Sequence, residues 1–74
     1  MGVFMNFKSK RQERDFKFIE KNLYFQKEDI KTINNNIIID LHKLSNDDLD
    51  VLEILIGKNN NIILNKYRSM LLIK

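Results

Sequence analysis

The sequence has no cysteine, no proline and no tryptophan, and only two glycines and one histidine among its 74 residues. Without cysteine, neither a disulfide nor a thiolate zinc site can stabilise the fold. A single histidine, His42, excludes a self-contained histidine-rich metal site. Gly2 and Gly57 are too few and too far apart to form a glycine-rich phosphate-binding loop. We therefore expect no bound metal, no cofactor and no small-molecule substrate.

Long apolar runs are also missing, since no stretch approaches the roughly 18 apolar residues that span a bilayer. Near the start of the chain the basic residues follow a short apolar patch, which is the reverse of a secretory signal. We therefore expect an intracellular, cytoplasmic protein with no membrane partner. Asn, Ile and Lys together supply 31 of the 74 residues. This bias indicates an AT-rich genome, such as that of a low-GC bacterium, a virus or a mobile element.

The length of the chain allows one domain, which we assign to residues 9–74, after an N-terminal arm over residues 1–8. Chains of this size bury a small share of their surface, so natural examples usually add disulfides, a metal or a partner. The composition excludes the first two. Efficient helix packing and association with another molecule remain as sources of stability.

The first half of the domain predicts a helix over residues 10–26. Ser9 followed three residues later by a glutamine is typical of a helix N-terminus. Apolar residues recur on one side of this helix, whereas Phe18 and Phe25 fall on the opposite side. FKFIEK also alternates like a strand, but its length and its Lys, Glu and Gln content favour a helix. A helix with two apolar sides indicates one partner within the chain and one outside it.

The next segment predicts a turn followed by a short extended stretch. Three asparagines at residues 34–36 favour a turn, and three β-branched isoleucines follow at residues 37–39. We expect an extended chain over residues 37–41. The same NNNII letters return at residues 59–63. Because two units are too few for a stacked repeat, we attribute this echo to composition.

A second helix is predicted over residues 46–56. Ser45 is placed to cap it, and Asp48 is placed to complete a capping box. Acidic residues are concentrated in the first turn, where their negative charges interact favourably with the positive end of the helix dipole. We assign the acidic run NDDLD to this role rather than to a cation site, because an EF-hand loop would need glycine and glutamate where Val51 and Gly57 stand.

The apolar residues of this second helix cover more than half of its circumference, which is typical of a helix buried on several sides. In so short a chain, burial of that kind calls for a second molecule. We therefore predict a protein interface formed by both helices, through Phe18, Phe25, Val51, Leu52, Leu55 and Ile56.

The last segment predicts a third helix over residues 61–72, because Ile63, Tyr67, Met70 and Leu71 fall on one stripe. A strand at either end of residues 62–74 stays open as an alternative. The predicted fold class is mainly α: a small three-helix domain with a short extended segment between the first and second helices.

Charge is unevenly distributed along the sequence. Residues 1–33 carry a net charge of +3, residues 34–57 of −4 and residues 58–74 of +4. Opposite charges on one chain allow self-association through complementary potentials. They also leave a cluster of cations near the start that could contact phosphates in nucleic acid: Lys8, Lys10, Arg11 and Arg14.

Catalysis has little support in the sequence. Asp40 and His42 would lie on the same side of a strand and could form a dyad, but no serine stands in a nucleophile motif, and Ser45 is assigned to a cap. We therefore predict a non-enzymatic protein. The leading hypothesis is a small protein-binding module, an assembly subunit, adaptor or inhibitor that self-associates. The alternative is a nucleic-acid-binding regulator or accessory factor.

Overall fold

A computed structural model describes residues 6–74; residues 1–5 of the predicted N-terminal arm lie outside the described part. Within residues 6–74, two α-helices and four β-strands follow one another, with a short 3₁₀ turn before the first strand. Their bounds are α1 Lys10–Asn22, the 3₁₀ turn Lys27–Asp29, β1 Ile30–Ile33, β2 Asn36–Asp40, α2 Asn46–Ile56, β3 Ile62–Leu64 and β4 Met70–Ile73.

The four strands form one antiparallel sheet in the order β1-β2-β4-β3. Two hairpins, β1–β2 and β3–β4, therefore join through their second strands, and α2 connects them. The register aligns Ile38 with Leu72, and Leu72 with Ile63 on the far strand. The expectation of a mainly α, three-helix domain is wrong, and the chain has an α+β fold.

The predicted third helix over residues 61–72 is in fact the β3–β4 hairpin. Asn65 shapes its turn, because the side-chain oxygen accepts hydrogen bonds from the backbone N–H groups of Ser69 at 2.8 Å and Met70 at 3.0 Å. Arg68 adopts a left-handed conformation with φ of 57°. Tyr67, which the helical stripe would bury, lies in the turn and is exposed. Pairing with β2 over four residues outweighs the helical spacing of the apolar residues.

Helix α1 begins as predicted, with Ser9 Oγ accepting from the backbone N–H of Gln12 at 3.1 Å. It ends at Asn22, four residues before the predicted end at residue 26. Leu23 is already extended, and the chain then turns back so that the ring of Phe25 packs edge-on against Phe16, with centroids 6.0 Å apart.

Helix α2 occupies the predicted residues, Asn46–Ile56. The predicted capping box is present: Ser45 Oγ accepts from Asp48 N at 3.2 Å, and Asp48 Oδ2 accepts from Ser45 N at 3.3 Å. Gly57 ends the helix with φ of 41°. The predicted extended stretch is confirmed as β2, displaced by one residue towards the N-terminus.

Asparagines 34 and 35 connect β1 to β2 as a two-residue turn, with φ of 53° and 67°. Positive φ at both positions is the requirement of the type I′ turn, and asparagine tolerates it better than most residues. The turn therefore sets the register of the first hairpin.

Both helices pack on one face of the sheet, where a single apolar core forms. The helices contribute Phe16, Ile19, Leu49 and Leu52, and the sheet and its flanking residue contribute Ile37, Ile39, Leu41, Ile62, Leu71 and Ile73. Because side chains alternate along a strand, the residues between these point to the opposite face. That second face carries no helix among the described residues.

Candidate protein interface

The face of the sheet opposite the helices is largely apolar. Its apolar side chains come from all four strands, and we call the set the open sheet face: Ile33, Ile38, Ile63, Met70 and Leu72. Three of them are well exposed: Ile33 at 51%, Ile63 at 39% and Met70 at 47%. The largest contiguous apolar patch on a soluble protein is often functional, so this face is a candidate binding surface.

The register fixes how these side chains are arranged. Ile38, Leu72 and Ile63 form one row across three neighbouring strands, because Ile38 pairs with Leu72 and Leu72 pairs with Ile63. Lys31 continues the row on β1, opposite Ile38. The apolar row therefore ends at a cation on one edge of the sheet and reaches the edge strand β3 on the other.

A shallow apolar depression of about 210 Å³ lies on the open sheet face. Ile38, Ile63, Met70 and Leu72 line it together with Asn65 and Leu71. A cavity of roughly 150 Å³ already holds a benzene molecule in other proteins. The depression is thus large enough to receive one apolar side chain from a partner.

Charged groups stand at the rim of this face. Asp40 ends β2 opposite Met70, and its carboxylate contacts His42 Nδ1 at 2.9 Å and accepts from His42 N at 3.0 Å. The side-chain hydrogen bond from His42 lowers the pKa of Asp40, with smaller contributions from the His42 backbone and the Lys31 charge. Asp40 therefore presents a stable negative charge beside the apolar row, and Lys31 presents a positive one.

Half of the interface predicted from the sequence lies inside the protein. Leu52 is fully buried in the core, and Phe25 and Ile56 are half-buried against it. These three residues stabilise the chain's own fold. Because the sheet replaces the predicted third helix, it offers α2 an apolar layer that the three-helix prediction did not contain.

The other three predicted interface residues remain at the surface in part. Phe18 on α1 and Val51 on α2 are exposed, and Leu55 is half-buried. Ile54, beside Val51 on the outer side of α2, is 79% exposed. A second, smaller apolar patch is thus present on α2, away from the open sheet face.

The predicted phosphate contacts separate into two groups. Lys8 Nζ donates to Asn36 Oδ1 at 2.7 Å. The Arg11 guanidinium donates to the side-chain oxygen of Asn61 when that amide is turned to satisfy both groups, with Nη2 at 3.2 Å. These two cations are therefore held against the sheet and its loops. Lys10 and Arg14 lie exposed on α1.

Lys10 and Arg14 belong to a longer row of cations that the sequence prediction missed. Positions i, i+4, i+7 and i+11 share one side of a helix, and on α1 they are Lys10, Arg14, Lys17 and Lys21. We call this row the basic ridge. Its cations are partly balanced, because Lys17 Nζ lies 3.1 Å from Glu13 Oε2. The heptad-like spacing of Lys and Arg in the sequence was the signal that could have shown it.

The pair Asp40–His42 is present, yet its surroundings favour a structural role. Asp29, buried nearby, accepts from Gln26 N at 2.9 Å and from the Lys43 ammonium at 3.2 Å, and lies 3.9 Å from His42 Nδ1. The hydrogen bond from the Gln26 backbone lowers the pKa of Asp29, and Lys43 lowers it further against the effect of burial. The cluster thus joins the 3₁₀ turn to the segment after β2. Ser45, the nearest hydroxyl in sequence, caps α2.

Within residues 6–74, no group of three or more His, Cys, Asp or Glu side chains is arranged to hold a metal ion. In the same part of the chain, neither helix has the length and the apolar character that crossing a membrane requires. Comparison with protein-family models, curated proteins and solved structures returned no match.

Proposed function

We infer that this chain is a non-enzymatic protein-binding module, acting as an assembly subunit, adaptor or inhibitor. The observation that supports this most is the open sheet face, which presents five apolar side chains from four strands without a covering element among the described residues. Burial of such a surface against another protein removes apolar area from water, which is the dominant favourable term in association. The contact surface of the proposal is thus the sheet, with the outer side of α2 as a smaller second area.

The proposal places the protein in the cytoplasm, since a chain without cysteine gains no stability from an oxidising compartment. It also assigns the polar cluster around Asp29 to folding rather than to chemistry, because each of its groups already has a hydrogen-bond or ion-pair partner.

Site-specific photo-crosslinking tests the binding function. A photoreactive residue at Met70, on the open sheet face, should form a crosslink to a protein in an extract of the source cells, and the same residue at Lys58 should not. The crosslinked protein is then identified, purified and titrated against the wild-type chain. Replacement of Ile63 and Met70 by glutamate should weaken that binding by more than tenfold. Equal binding by the glutamate variant overturns the proposal.

A second candidate function is binding to the phosphate backbone of nucleic acid, and the basic ridge is the observation that favours it. Four cations on one side of α1 span twelve residues, or about 16 Å of helix at about 1.5 Å per residue step. Such a row would bind with strong salt dependence and little sequence preference, because each neutralised phosphate releases counterions.

Fluorescence anisotropy with labelled duplex and single-stranded oligonucleotides tests this candidate at several salt concentrations. If it is correct, the logarithm of affinity falls linearly with the logarithm of salt. Replacement of Lys10 and Arg14 by glutamine should then reduce the slope by about two. Replacement of Lys58 and Lys66, which are exposed in loops off the ridge, is the matched control. Undetectable binding at low salt contradicts the candidate.

A further inference from the structure

We propose that the open sheet face binds the same face of a second copy of this chain, so that two sheets stack about a two-fold axis. The inference rests on the proposed function and deepens it by naming the partner. In a two-fold interface the same residues occur on both sides, so a surface must complement itself. Three features of the open sheet face meet that condition.

The first feature is the apolar row at the centre of the face. Ile38 and Leu72 stand side by side on the two central strands, and Ile63 and Met70 extend the apolar surface towards β3. When two sheets pack face to face at about 10 Å, side chains of this kind interdigitate to form the layer between them. A second copy therefore supplies the apolar layer that the helices supply on the other face.

The second feature is the charge at the rim. Lys31 and Asp40 both border the apolar row, carry opposite charges and stand on neighbouring strands. A two-fold axis that passes between Ile38 and Leu72, parallel to the sheets and oblique to the strands, brings Asp40 of one copy towards Lys31 of the other. The symmetry produces this contact twice. A second copy of this chain carries the same two charges and therefore matches both of them by symmetry.

The third feature is the apolar depression between Ile38, Ile63, Met70 and Leu72. In the stacked arrangement, one side chain from the central row of the second copy enters it. The two-fold axis gives each copy both the depression and the side chain that fills it.

The size of the face determines how tight the dimer is. Four strands about 4.8 Å apart, with about four residues each at about 3.3 Å per residue, present roughly 250 Å² in projection. Stable interfaces bury about 800 Å² per partner, so this contact belongs to the weak and reversible class. The protein should therefore dissociate on dilution rather than form a permanent dimer.

Sedimentation velocity over a dilution series, from near-millimolar to low micromolar protein, tests the proposal. The wild-type chain should move from dimer to monomer as it is diluted. Replacement of both Ile63 and Met70 by glutamate should keep the chain monomeric at every concentration. The matched control replaces Val51 and Ile54 on α2 by glutamate; these two residues are more exposed than Ile63 and Met70, and the control should dimerise as the wild type does. Circular dichroism establishes that each variant is folded.

Charge reversal tests the arrangement of the two copies. The variant Lys31→Glu should weaken dimerisation by at least threefold, because the introduced carboxylate then faces the Asp40 carboxylate of the second copy. Adding Asp40→Lys should restore it. If the combined variant is as weak as Lys31→Glu alone, the proposed two-fold arrangement is overturned. If the α2 control variant abolishes the dimer, the sheet is not the interface and the proposal is again overturned.

Two results separate this inference from the proposed function. A wild-type chain that is monomeric throughout the series, while Met70 crosslinks to a different protein, overturns the homodimer and leaves the binding function in place. A chain that dimerises only when residues 1–5 are deleted shows that its own N-terminus covers the face. That result overturns both proposals, because the surface is then satisfied within the molecule.

Discussion

The side chain of Gln12 on α1 donates a hydrogen bond from Nε2 to the backbone carbonyl oxygen of Asn35, at 2.8 Å, in the turn between β1 and β2. The same nitrogen lies 3.3 Å from the carbonyl oxygen of Ile73, and Oε1 accepts from Lys8 N at 2.9 Å. Gln12 is almost completely buried. One amide thus joins the start of α1 to both hairpins.

Replacement of Gln12 by leucine should lower the free energy of unfolding by about 2–4 kcal/mol. The substitution removes hydrogen bonds to buried or half-buried backbone groups, and each group left unsatisfied costs roughly 1–3 kcal/mol. Chemical denaturation measures the change. Lys21→Ala, at an exposed position of the same helix, should change stability by less than about 0.5 kcal/mol. Equal effects of the two substitutions would contradict the assigned role of Gln12.

The left-handed turn between β1 and β2 predicts a stabilising substitution. Asn35 has φ of 67°, which glycine adopts without steric cost. Asn35→Gly should therefore raise the free energy of unfolding by a few tenths of a kcal/mol or more, because Asn-Gly is the preferred type I′ pair. Asn35→Val should lower it by about 1–2 kcal/mol.

Asn60 provides the matched control for this turn. It is an exposed asparagine in the loop before β3 and is not among the residues with positive φ. Asn60→Gly should therefore give no gain in thermal unfolding temperature. A gain at Asn60 equal to that at Asn35 would show that the effect does not come from the left-handed conformation.

Local capping chemistry explains why α2 could be predicted to the residue. Ser45, Asp48 and Gly57 act within one or two turns of the helix, so their signal does not depend on the rest of the fold. The same holds for the start of α1 at Ser9. The end of α1 has no glycine, and the apolar pattern of the sequence continues at Leu23, beyond the last helical residue. The prediction therefore placed the end of α1 four residues too late.

The β3–β4 hairpin could not be predicted because its stability depends on residues distant in sequence. Leu71 and Leu72 pair with Ile39 and Ile38, more than thirty residues earlier. Within the segment alone, the apolar residues fit a helix as well as a strand. One local signal was available: NNN followed by β-branched residues precedes a strand at residues 34–39, and it does so again at residues 59–63. The two runs share only the strand that follows them, because Asn34 and Asn35 have positive φ and Asn60 does not.

The sequence predicted that apolar side chains would stay exposed, but not where most of them lie. The excess of apolar residues indicated an uncovered surface, and Val51 and Ile54 are indeed exposed. The larger surface arises from residues such as Ile38 and Leu72, which face away from the helices only because of the strand register. No single-sequence pattern fixes that register. The sheet had to be known before its second face could be found.

Asp29 gives the fold a dependence on pH. The backbone hydrogen bond from Gln26 lowers its pKa below the ordinary value of 3.8. A carboxylate with a lowered folded-state pKa contributes stability that is present above the unfolded-state pKa and is lost as pH falls through the folded-state pKa. The wild-type chain should therefore be more stable than Asp29→Asn at neutral pH. The difference should shrink below about pH 4 and disappear in stronger acid.

Denaturant titrations of the two proteins across the acidic range measure this difference directly. Carbon-detected NMR of the Asp29 carboxyl group gives the titration of the folded state independently. A difference in stability that stays constant down to strong acid would contradict the assignment, because it would mean that the Asp29 charge plays no part in it.

Asp15 on α1 is the buried carboxylate with the fewest partners among the described residues. Its Oδ1 accepts from Asn59 Nδ2 at 3.1 Å, and its Oδ2 has no hydrogen-bond partner. Asn59 lies in the loop between α2 and β3, so this bond connects α1 to that loop across the core. Removal of the amide leaves a buried acidic group without a partner, which typically costs about 1–3 kcal/mol.

Asn59→Ala should therefore lower the free energy of unfolding by about 2 kcal/mol, whereas Asn60→Ala, one residue later and exposed, should change it by less than about 0.5 kcal/mol. Part of the loss comes from Asn59 Oδ1, which accepts from Asn61 N at 3.0 Å. A double-mutant cycle with Asp15→Ala separates the two contributions. If Asn59→Ala costs as much in the Asp15→Ala background as in the wild type, the bond to Asp15 contributes nothing, and the loss does not come from that bond.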